Sequence, residues 1–439
     1  DVIGRDAMVP AIWDAVTPSR LCTVVENGAG VSVSTIEHIM AALSGCGRYF
    51  NGDGTVEAGR IVKQLLLVRD WFCAELSALG CTITVDEVGN LFARKPGKNP
   101  ALPPIAMGSH LDTQPTGGKF DGILGVIGAV EVMKALVGAG YETNAPIEVV
   151  SWCNEEGSRF APAMLASGVF AGVFTPEYAY TREDRQGLKF GDELDRIGYR
   201  GTEKAGDHPL QAYFELHIEQ GPILEDEGKV IGVLTGVQGM RWYEVTVTGQ
   251  DAHTGATPMR LRKNALVGAA RMIEAIDAIG HKYAPDAVAT VGLIENKPNS
   301  RNVVPGEVFF TVDLRHPEES VLQSMEDDLR AALAATLPPL KLEWDEKMIW
   351  NSPAVKFAPE LIACVDHGVD KAGYSKRRMV SGAGHDAVYI ARVAPTTMIF
   401  VPCEGGLSHN EYETIRPEEA AAGAQVLLNA VLEYDATLA

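Results

Sequence analysis

The hydrophobic positions in the first half of the chain change their period at short intervals. Helical spacing over 62–79 gives way to alternation over 82–94, which predicts a β-hairpin that turns at Gly89-Asn90. Two continuous apolar runs then predict buried strands, with a helix between them. These three segments lie at 103–112, 122–140 and 145–157. The order predicts an α/β domain whose sheet is covered by helices, and in such sheets ligands gather beyond the carboxyl ends of the strands.

The pattern of hydrophobic and polar positions changes after about Gln238. Strand-like and helix-like segments follow in the order β-α-β-β-α-β, which is typical of a small ferredoxin-like α+β domain. These segments lie at 240–250, 264–280, 288–295, 302–316, 320–336 and 340–347. An apolar run at 396–406 then again predicts a buried strand and a loop. We therefore expect a small domain at 239–348, inserted into a larger domain made of 47–238 and 349–439.

Composition and charge narrow the class of protein. The 439 residues exceed what one hydrophobic core usually supports, and 46% apolar with 22% charged residues is ordinary for a globular protein. A net charge of −20 argues against nucleic acid or an anionic membrane as a partner. We expect neither a membrane span nor a signal peptide. Seven scattered cysteines without a C-x-x-C motif indicate free thiols in a reducing compartment, so a cytoplasmic protein is expected.

Histidine and carboxylate residues recur where the predicted strands end. Each instance alone is weak, because a single histidine at a strand end is more often a hydrogen-bonded structural residue. The pair Glu155-Glu156 is harder to dismiss, because it follows a buried strand, and two like charges there need a cation nearby. Imidazole and carboxylate ligands suit zinc, manganese or cobalt. The set comprises His110 with Asp112, Asp121, Glu155 with Glu156, His217 and His409.

This set has the composition of a two-metal centre. Two ions roughly 3.5–4 Å apart need a bridging carboxylate and terminal ligands on each side, and they acidify a shared water. A carboxylate that is not a ligand can then act as general base. Three histidines, a bridging aspartate, a terminal glutamate and a spare glutamate fill these roles.

Six ordered motifs carry a resemblance to a known family. They are GSHLDTQPTGGKFDG (108–122), NEEGSRF (154–160), ELHIEQGP (215–222), GQDAHTGATPM (249–259), SRNVVPG (300–306) and GLSHNE (406–411). From about residue 50 onward the chain resembles the N-carbamoyl-amino-acid amidohydrolase branch of the M20 metallopeptidase-like superfamily. That branch contains β-ureidopropionase, L-carbamoylases and allantoate amidohydrolase. The short spacing of 11 residues between His110 and Asp121, and a histidine at 217, favour this branch over the M20 peptidases.

The resemblance implies a role for each candidate residue of the metal centre. His110, Asp121 and His217 would bind one ion, and Asp121 would bridge to a second. Glu156 and His409 would complete the second ion's ligands. The ions are expected to be zinc, with manganese or cobalt as alternatives.

Further roles follow from the same resemblance. Asp112 would orient the metal site from behind, and Glu155 would be the general base and then the acid for the leaving nitrogen. Arg315 would pair with the substrate carboxylate, although a surface salt bridge is its plainer interpretation. Asn302 would assist Arg315, and Gln220 would line the pocket.

His253 would stabilise the tetrahedral oxyanion. The family implies that it arrives from the small domain of a partner subunit, which requires a homodimer. A hydrogen bond within its own loop is the plainer alternative for this residue. His385 and Asp386, in a glycine-rich turn, either line the pocket or cap the following helix, and they stay outside the metal set.

The function implied is hydrolysis of the ureido C–N bond of an N-carbamoyl amino acid to the amino acid, ammonia and carbon dioxide. The substrate would be N-carbamoyl-β-alanine or an N-carbamoyl-L-amino acid. An allantoate amidohydrolase is the nearest alternative. An M20 peptidase or aminoacylase, and a non-catalytic scaffold on this fold, are less favoured.

Residues 1–46 do not fit this pattern. Residues 5–47 resemble a piece of UDP-acyl-N-acetylglucosamine deacetylase, and their segment TIEHIMAAL carries that family's first zinc histidine, here His38. The deacetylase also needs a later His-x-x-x-Asp pair, and none is found; His367 and Asp370 are one residue too close. We expect a foreign N-terminal segment in which His38 is catalytically silent.

Overall fold

The computed structural model describes the backbone of residues 58–115 and 117–439, and side chains from Val68 onward. The expectations for residues 1–46 and for His38 lie outside the described residues.

The strands are numbered in chain order. They are β1 (Thr82–Val85), β2 (Leu91–Lys95), β3 (Ile105–His110), β4 (Ile147–Trp152), β5 (Ala212–Ile218), β6 (Ile231–Val237), β7 (Gly239–Thr248), β8 (Ala252–His253), β9 (Val288–Thr290), β10 (Ile294–Lys297), β11 (Val303–Val304), β12 (Glu307–His316), β13 (Glu343–Ser352), β14 (Val355–Lys356), β15 (Lys376–Ser381) and β16 (Thr396–Val401).

The α-helices are numbered in the same way. They are α1 (Ala58–Ala78), α2 (Asp121–Gly138), α3 (Leu165–Phe170), α4 (Pro176–Tyr180), α5 (Phe190–Ile197), α6 (Ile223–Asp226), α7 (Ala265–Lys282), α8 (Glu319–Thr336), α9 (Pro359–Ala372), α10 (Asp386–Ile390) and α11 (Pro417–Ala436). Short 3₁₀ turns lie at Met259–Leu261, Pro338–Leu340 and Glu404–Gly406. No helix among the described residues is both long and apolar enough to span a membrane.

The chain divides into two compact units. One consists of the described residues up to Thr235 together with Lys356–Ala439, and the other is Gly236–Val355. The second unit is thus an insertion in the first. Its bounds lie a few residues outside the range 239–348 expected from the sequence, because β13 continues to Ser352.

The larger unit is built on a mixed sheet with the strand order β1-β2-β4-β3-β5-β16-β6-β14, and β15 pairs with β6. The hairpin β1–β2 forms as predicted and is antiparallel, with Gly89 at φ +86° in its turn. The four central strands β4, β3, β5 and β16 run parallel to one another. Every residue of these four strands is buried, which is expected for parallel strands covered on both faces. Their carboxyl ends therefore meet at one edge of the sheet.

The smaller unit follows the predicted β-α-β-β-α-β order, except that β8 is an additional short strand and two of the predicted strands are divided. Its sheet runs β10-β12-β7-β13, with β9 also paired to β12. Helices α7 and α8 contribute apolar side chains to one core with the buried face of this sheet. The mixed α/β architecture with a smaller inserted α+β domain is the fold class predicted from the sequence.

One predicted strand of the smaller unit is interrupted. The run 288–295 forms two strands instead of one, because Thr290 pairs with Asp313 whereas Ile294 pairs with Phe310. The segment therefore holds one residue more than the part of β12 that it faces, which is a β-bulge around Gly292. The run 302–316 is likewise divided, at Pro305-Gly306, because proline cannot donate a hydrogen bond to a ladder.

Candidate metal centre

The candidate ligands lie where the four parallel strands end. His110 is the last residue of β3, and His217 is the last but one of β5. Glu155 and Glu156 follow the end of β4, and His409 follows β16 in the loop before α11. Asp121 is the first residue of α2, which returns from β3 along the sheet. The fold thus brings five separate segments to one place.

Two ligand groups share Asp121. The first consists of His110, Asp121 and His217, all buried, and the second of Asp121, Glu156 and His409. Asp121 Oδ1 lies 3.2 Å from His217 Nε2 and 3.8 Å from His110 Nε2. Its other oxygen, Oδ2, lies 3.5 Å from His409 Nε2. Asp121 therefore presents one oxygen to each group, as a bridging carboxylate does.

The second group is completed by Glu156. His409 Nε2 lies 3.6 Å from Glu156 Oε2, and that oxygen also accepts a hydrogen bond of 2.6 Å from Gln114 Nε2. His409 is 51% exposed, whereas Asp121 and Glu156 are buried. The second group is consequently the one nearer to solvent.

Hydrogen bonds fix the orientation of two histidine rings. The Nδ1 of His110 is 2.9 Å from the carbonyl oxygen of Asp112, and the Nδ1 of His217 is 3.0 Å from the carbonyl oxygen of Ile218. A carbonyl oxygen can only accept, so each Nδ1 carries the proton and donates it. Each Nε2 is then left with its lone pair facing Asp121, which is the tautomer that a metal ligand requires.

Unsatisfied oxygens at the centre fit a cation. Asp121 Oδ2 and Glu156 Oε1 are buried, and neither has a hydrogen-bond partner within the described part of the chain. A buried carboxylate oxygen without a donor is costly unless a positive charge lies beside it. Together with the imidazole nitrogens aimed at Asp121, these atoms form a donor set suited to a divalent transition metal.

The electrostatics of the carboxylates support the same interpretation. Burial alone would raise the pKa of Asp121, but the neighbouring imidazoles of His217, His110 and His409 lower it. Burial raises the pKa of Glu155 well above its ordinary value, and the charges of Asp386 and Glu156 raise it further. Such a crowd of carboxylates is stable in its charged form only with a compensating cation.

Asp112 holds the two adjacent glutamates. Its carboxylate oxygens accept hydrogen bonds from the backbone N–H groups of Glu155 (3.2 Å) and Glu156 (3.1 Å). The Oε2 of Glu155 then lies 3.6 Å from His110 Nε2. Asp112 accepts the hydrogen bond of His110 Nδ1 through its backbone carbonyl, and its side chain holds the turn that carries the glutamates.

Three residues beside the ligands have strained backbones. Asn154, Gln220 and His409 have φ values of +58°, +58° and +53° in the left-handed region. Residues other than glycine adopt this conformation uncommonly, glutamine less readily than asparagine or histidine, and such residues cluster at functional sites. Gln220, predicted to line the pocket, donates from Nε2 to Asp121 Oδ1 at 3.3 Å and to Ser408 Oγ at 3.1 Å. It thus links Asp121 to the loop of His409.

Gly122 leaves room for the His110 ring. A Cβ atom at this position would come within 2.2–2.4 Å of three ring atoms of His110. The ring is held at Nδ1 by the carbonyl oxygen of Asp112, so it could not move aside without turning Nε2 away from Asp121. The glycine after Asp121 is therefore required by the close approach of α2 to the end of β3.

The sequence interpretation missed a layer of buried acids behind the ligands. Glu215 of β5 is fully buried and accepts hydrogen bonds from Ser109 Oγ (2.7 Å) and Tyr213 Oη (3.2 Å). A glutamate inside the fully apolar pattern of a buried strand, two residues before His217, was the signal available. Glu413, also buried, contacts the start of α2.

Of the two roles expected for His385 and Asp386, lining the pocket or capping the following helix, capping is not observed. His385 occupies the N-cap position of α10, but its side chain makes no capping hydrogen bond. Its ring instead packs against the ring of His217, with centroids 4.6 Å apart, and Nε2 lies 2.9 Å from Ser381 Oγ. Both residues are buried behind the first ligand group.

Three predicted site residues lie in the smaller unit. Arg315 is engaged by Asp313 on the same strand, with Nη2 donating at 2.7 Å. Asn302 Oδ1 accepts from Thr254 Oγ1 at 2.8 Å, directly beside His253 in the β8–β11 pair. His253 Nδ1 accepts the N–H groups of Gly255 and Ala256, which leaves the ring proton on Nε2 as a donor.

The geometry described so far defines a class: an α/β enzyme with an inserted small domain and a histidine–carboxylate metal centre at the carboxyl edge of its sheet. Residues 106–433 match the model of peptidase family M20/M25/M40. The chain belongs to this family of metal-dependent hydrolases.

Individual relatives within the family show which of its members the chain is similar to. It is 51% identical over 367 residues to the N-carbamoyl-L-amino-acid amidohydrolase of Rhizobium meliloti, covering 84% of this chain and 87% of that relative. It is 34% identical over 376 residues to the allantoate amidohydrolase of Bacillus subtilis (strain 168), covering 83% and 91%. The crystal structure of an amidase of the hydantoinase/carbamoylase family from Burkholderia multivorans matches with a TM-score of 0.86 at 48% identity, covering 95% of this chain and 98% of that chain.

Proposed function

We propose that this protein hydrolyses the ureido C–N bond of an N-carbamoyl amino acid, an N-carbamoyl-L-amino acid or N-carbamoyl-β-alanine, to the amino acid, ammonia and carbon dioxide. The observation that carries this proposal is the position of Asp121 between two ligand groups, with Glu155 beside them and outside both. The 51% identity to an N-carbamoyl-L-amino-acid amidohydrolase supports the choice of substrate class.

The centre would hold two divalent ions, zinc first and manganese or cobalt as alternatives. His110 and His217 would bind one ion, Glu156 and His409 the other, and Asp121 both. When bound, the ions would acidify a water molecule and polarise the carbonyl of the substrate.

Glu155 would move the proton. Burial and the neighbouring carboxylates raise the pKa of Glu155, so its carboxyl group can hold a proton that a water molecule gives up. It would then deliver this proton to the leaving nitrogen of the ureido group. The side chain of Asp112 accepts the backbone N–H group of Glu155 and so keeps the Glu155 carboxyl group in place.

The smaller unit would bind and orient the substrate. Arg315 would exchange its pairing with Asp313 for a bidentate pair with the substrate carboxylate, and Asn302 would assist. His253 would donate from Nε2 to the oxyanion that forms at the carbonyl. We propose that this histidine acts on the centre of a second subunit, in a homodimer. Gln220 would line the pocket beside Asp121.

A substrate panel tests the proposed activity. The purified protein, loaded in turn with zinc, manganese and cobalt, is incubated with N-carbamoyl-L-amino acids, N-carbamoyl-β-alanine and allantoate, and released ammonia is measured. We expect turnover of an N-carbamoyl amino acid. Turnover of allantoate alone would overturn this substrate assignment in favour of the second candidate, an allantoate amidohydrolase, which the 34% identity to the Bacillus subtilis enzyme supports.

A further inference from the structure

Helix α2, which carries Asp121 as its first residue, does not cap its own N-terminus. The residue before it, Phe120, has no side-chain oxygen and makes no capping hydrogen bond. The first N–H groups of a helix need an acceptor when they are buried. That acceptor comes from a distant part of the chain: Oε1 of Glu413 accepts the N–H groups of Phe120 at 3.0 Å and Asp121 at 3.1 Å.

The second oxygen of the same carboxylate holds the loop of His409. Ser408, the residue before His409, donates from Oγ to Glu413 Oε2 at 3.2 Å. The N–H group of Glu413 donates to the carbonyl oxygen of Asn410 at 3.0 Å, which closes the turn after His409. One carboxylate therefore joins the segment that carries Asp121 to the segment that carries His409.

The packing around Glu413 leaves it little freedom. Its side chain is buried, with 2% of the residue exposed. A Cβ atom at Gly118 would come within 2.2 Å of its carboxyl group, so the loop before α2 lies directly on this group. By contrast, His409 itself is half exposed and has a strained backbone. The position of His409 thus depends on its anchored neighbours rather than on packing of its own ring.

We propose that Glu413 is a positioning residue of the metal centre: it sets the distance between Asp121 and His409 and so the affinity for the ion that these residues share with Glu156. This inference rests on the two-ion centre of the proposed function. The first ligand group does not include the His409 loop, and its histidines are held by the carbonyl groups of Asp112 and Ile218. Loss of Glu413 is therefore expected to lower the affinity for the second ion and to leave the affinity for the first ion unchanged.

Three substitutions separate positioning from simple loss of a buried group. Glu413→Gln keeps Oε1 as the acceptor for both N–H groups, and its amide can donate to Ser408 Oγ. Glu413→Ala removes every contact, and Glu413→Asp keeps the charge but is too short to reach both segments. Glu419→Ala is the matched control, because Glu419 is also a buried carboxylate that accepts a backbone N–H group at a helix N-terminus, from Arg416 at 2.8 Å.

The experiment titrates each metal-free protein with zinc or manganese and measures the number of bound ions and both dissociation constants by calorimetry and equilibrium dialysis. For Glu413→Ala we expect a second-ion affinity lower by about 10–100-fold, the usual loss when a supporting contact of a ligand is removed. The first ion should bind as in the wild type. Glu413→Gln and Glu419→Ala should each retain both affinities within a few fold.

The outcomes separate this inference from the proposed function. If the wild type binds two ions and Glu413→Ala binds both equally well, the positioning role is wrong, whereas the two-ion centre stands. A wild type that binds fewer than two ions overturns both. Melting curves of the metal-free proteins report folding, and if Glu413→Ala does not fold, the comparison of Glu413→Asp with Glu413→Gln decides, with weakening expected only for Glu413→Asp.

Discussion

Glu155 and Glu156 are adjacent in the chain but have different surroundings. Glu156 belongs to the second ligand group, 3.6 Å from His409 Nε2, and accepts a hydrogen bond from Gln114. Glu155 belongs to neither group, and its pKa is raised by burial and then by the charges of Asp386 and Glu156. The residue types are identical, so under the proposed function it is the environment that would separate the metal ligand Glu156 from the proton carrier Glu155.

This contrast predicts the effect of a near-isosteric substitution. Glu155→Gln should lower kcat by about 10²–10⁴-fold, the usual contribution of a general base, with both ions still bound. Glu156→Gln should instead reduce the number of bound ions. Turnover and metal content measured on the same samples check this. A Glu155→Gln variant that retains wild-type kcat with two ions bound would show that Glu155 does not transfer the proton.

At the scale of elements, a further buried histidine joins three segments near the start of β4, the opposite end of that strand from the glutamate pair. His208, to which the sequence assigned no role, lies between Glu148 of β4 and Glu203, with N···O distances of 2.7 and 3.0 Å. Nη2 of Arg94, on β2, lies 3.1 Å from His208 Nε2. The His208 ring stacks on the ring of Phe92, with centroids 4.1 Å apart. Burial alone would lower the pKa of His208, but Glu148 and Glu203 outweigh burial and raise it.

This network predicts a pH-dependent contribution to stability. Because the pKa is higher in the folded than in the unfolded state, where it is about 6.5, the stabilisation is complete below pH 6.5 and is lost as the pH rises through the folded-state value. His208→Gln should abolish this contribution. We expect the difference in melting temperature between wild type and variant to shrink as the pH is raised from 6 to 9.

The control for this experiment is His367→Gln, which removes an exposed histidine paired with Glu433. An exposed ion pair contributes little, so its melting curves should follow those of the wild type at each pH. A constant difference between wild type and His208→Gln across the range would contradict a titrating contribution from His208.

At the scale of the whole molecule, the proposed homodimer makes a prediction of its own. His253→Ala and Glu155→Gln each inactivate a different part of the site. If His253 serves the partner's centre, a mixed dimer contains one complete site, and statistical mixing in a two-fold dimer should restore about a quarter of the wild-type activity. Mixing after mild dissociation, followed by an ammonia assay, measures this.

A matched mixture controls for the assay. His110→Ala and Glu155→Gln both damage the larger unit, so their mixed dimer has no complete centre and should stay inactive. Equal inactivity of the His253→Ala mixture, in protein shown to be dimeric by light scattering, would mean that His253 does not act across subunits.

The sequence by itself determined the elements and the ligand types. In the sequence, buried parallel strands are seen as apolar runs, and helices are seen as a 3.6-residue period of apolar positions. Both patterns are local, because side-chain direction repeats along each element. That is why the ends of β3 and β4 could be located, and with them His110 and the glutamate pair. His217 was found from its motif, ELHIEQGP, and not from a predicted strand. The bulge at Gly292 could not be read, since it depends on the register of β12, a partner strand.

Only the tertiary structure decided how these residues are joined. The two oxygens of Asp121 face different histidines, and Asp112 accepts a hydrogen bond from the turn that carries the glutamates. Both arrangements depend on side chains from separate strands. Glu413 lies 292 residues beyond Asp121 and still caps its helix. Periodicity holds no information on such pairs, because convergence is set by the packing of whole elements, which brings distant segments within hydrogen-bond reach.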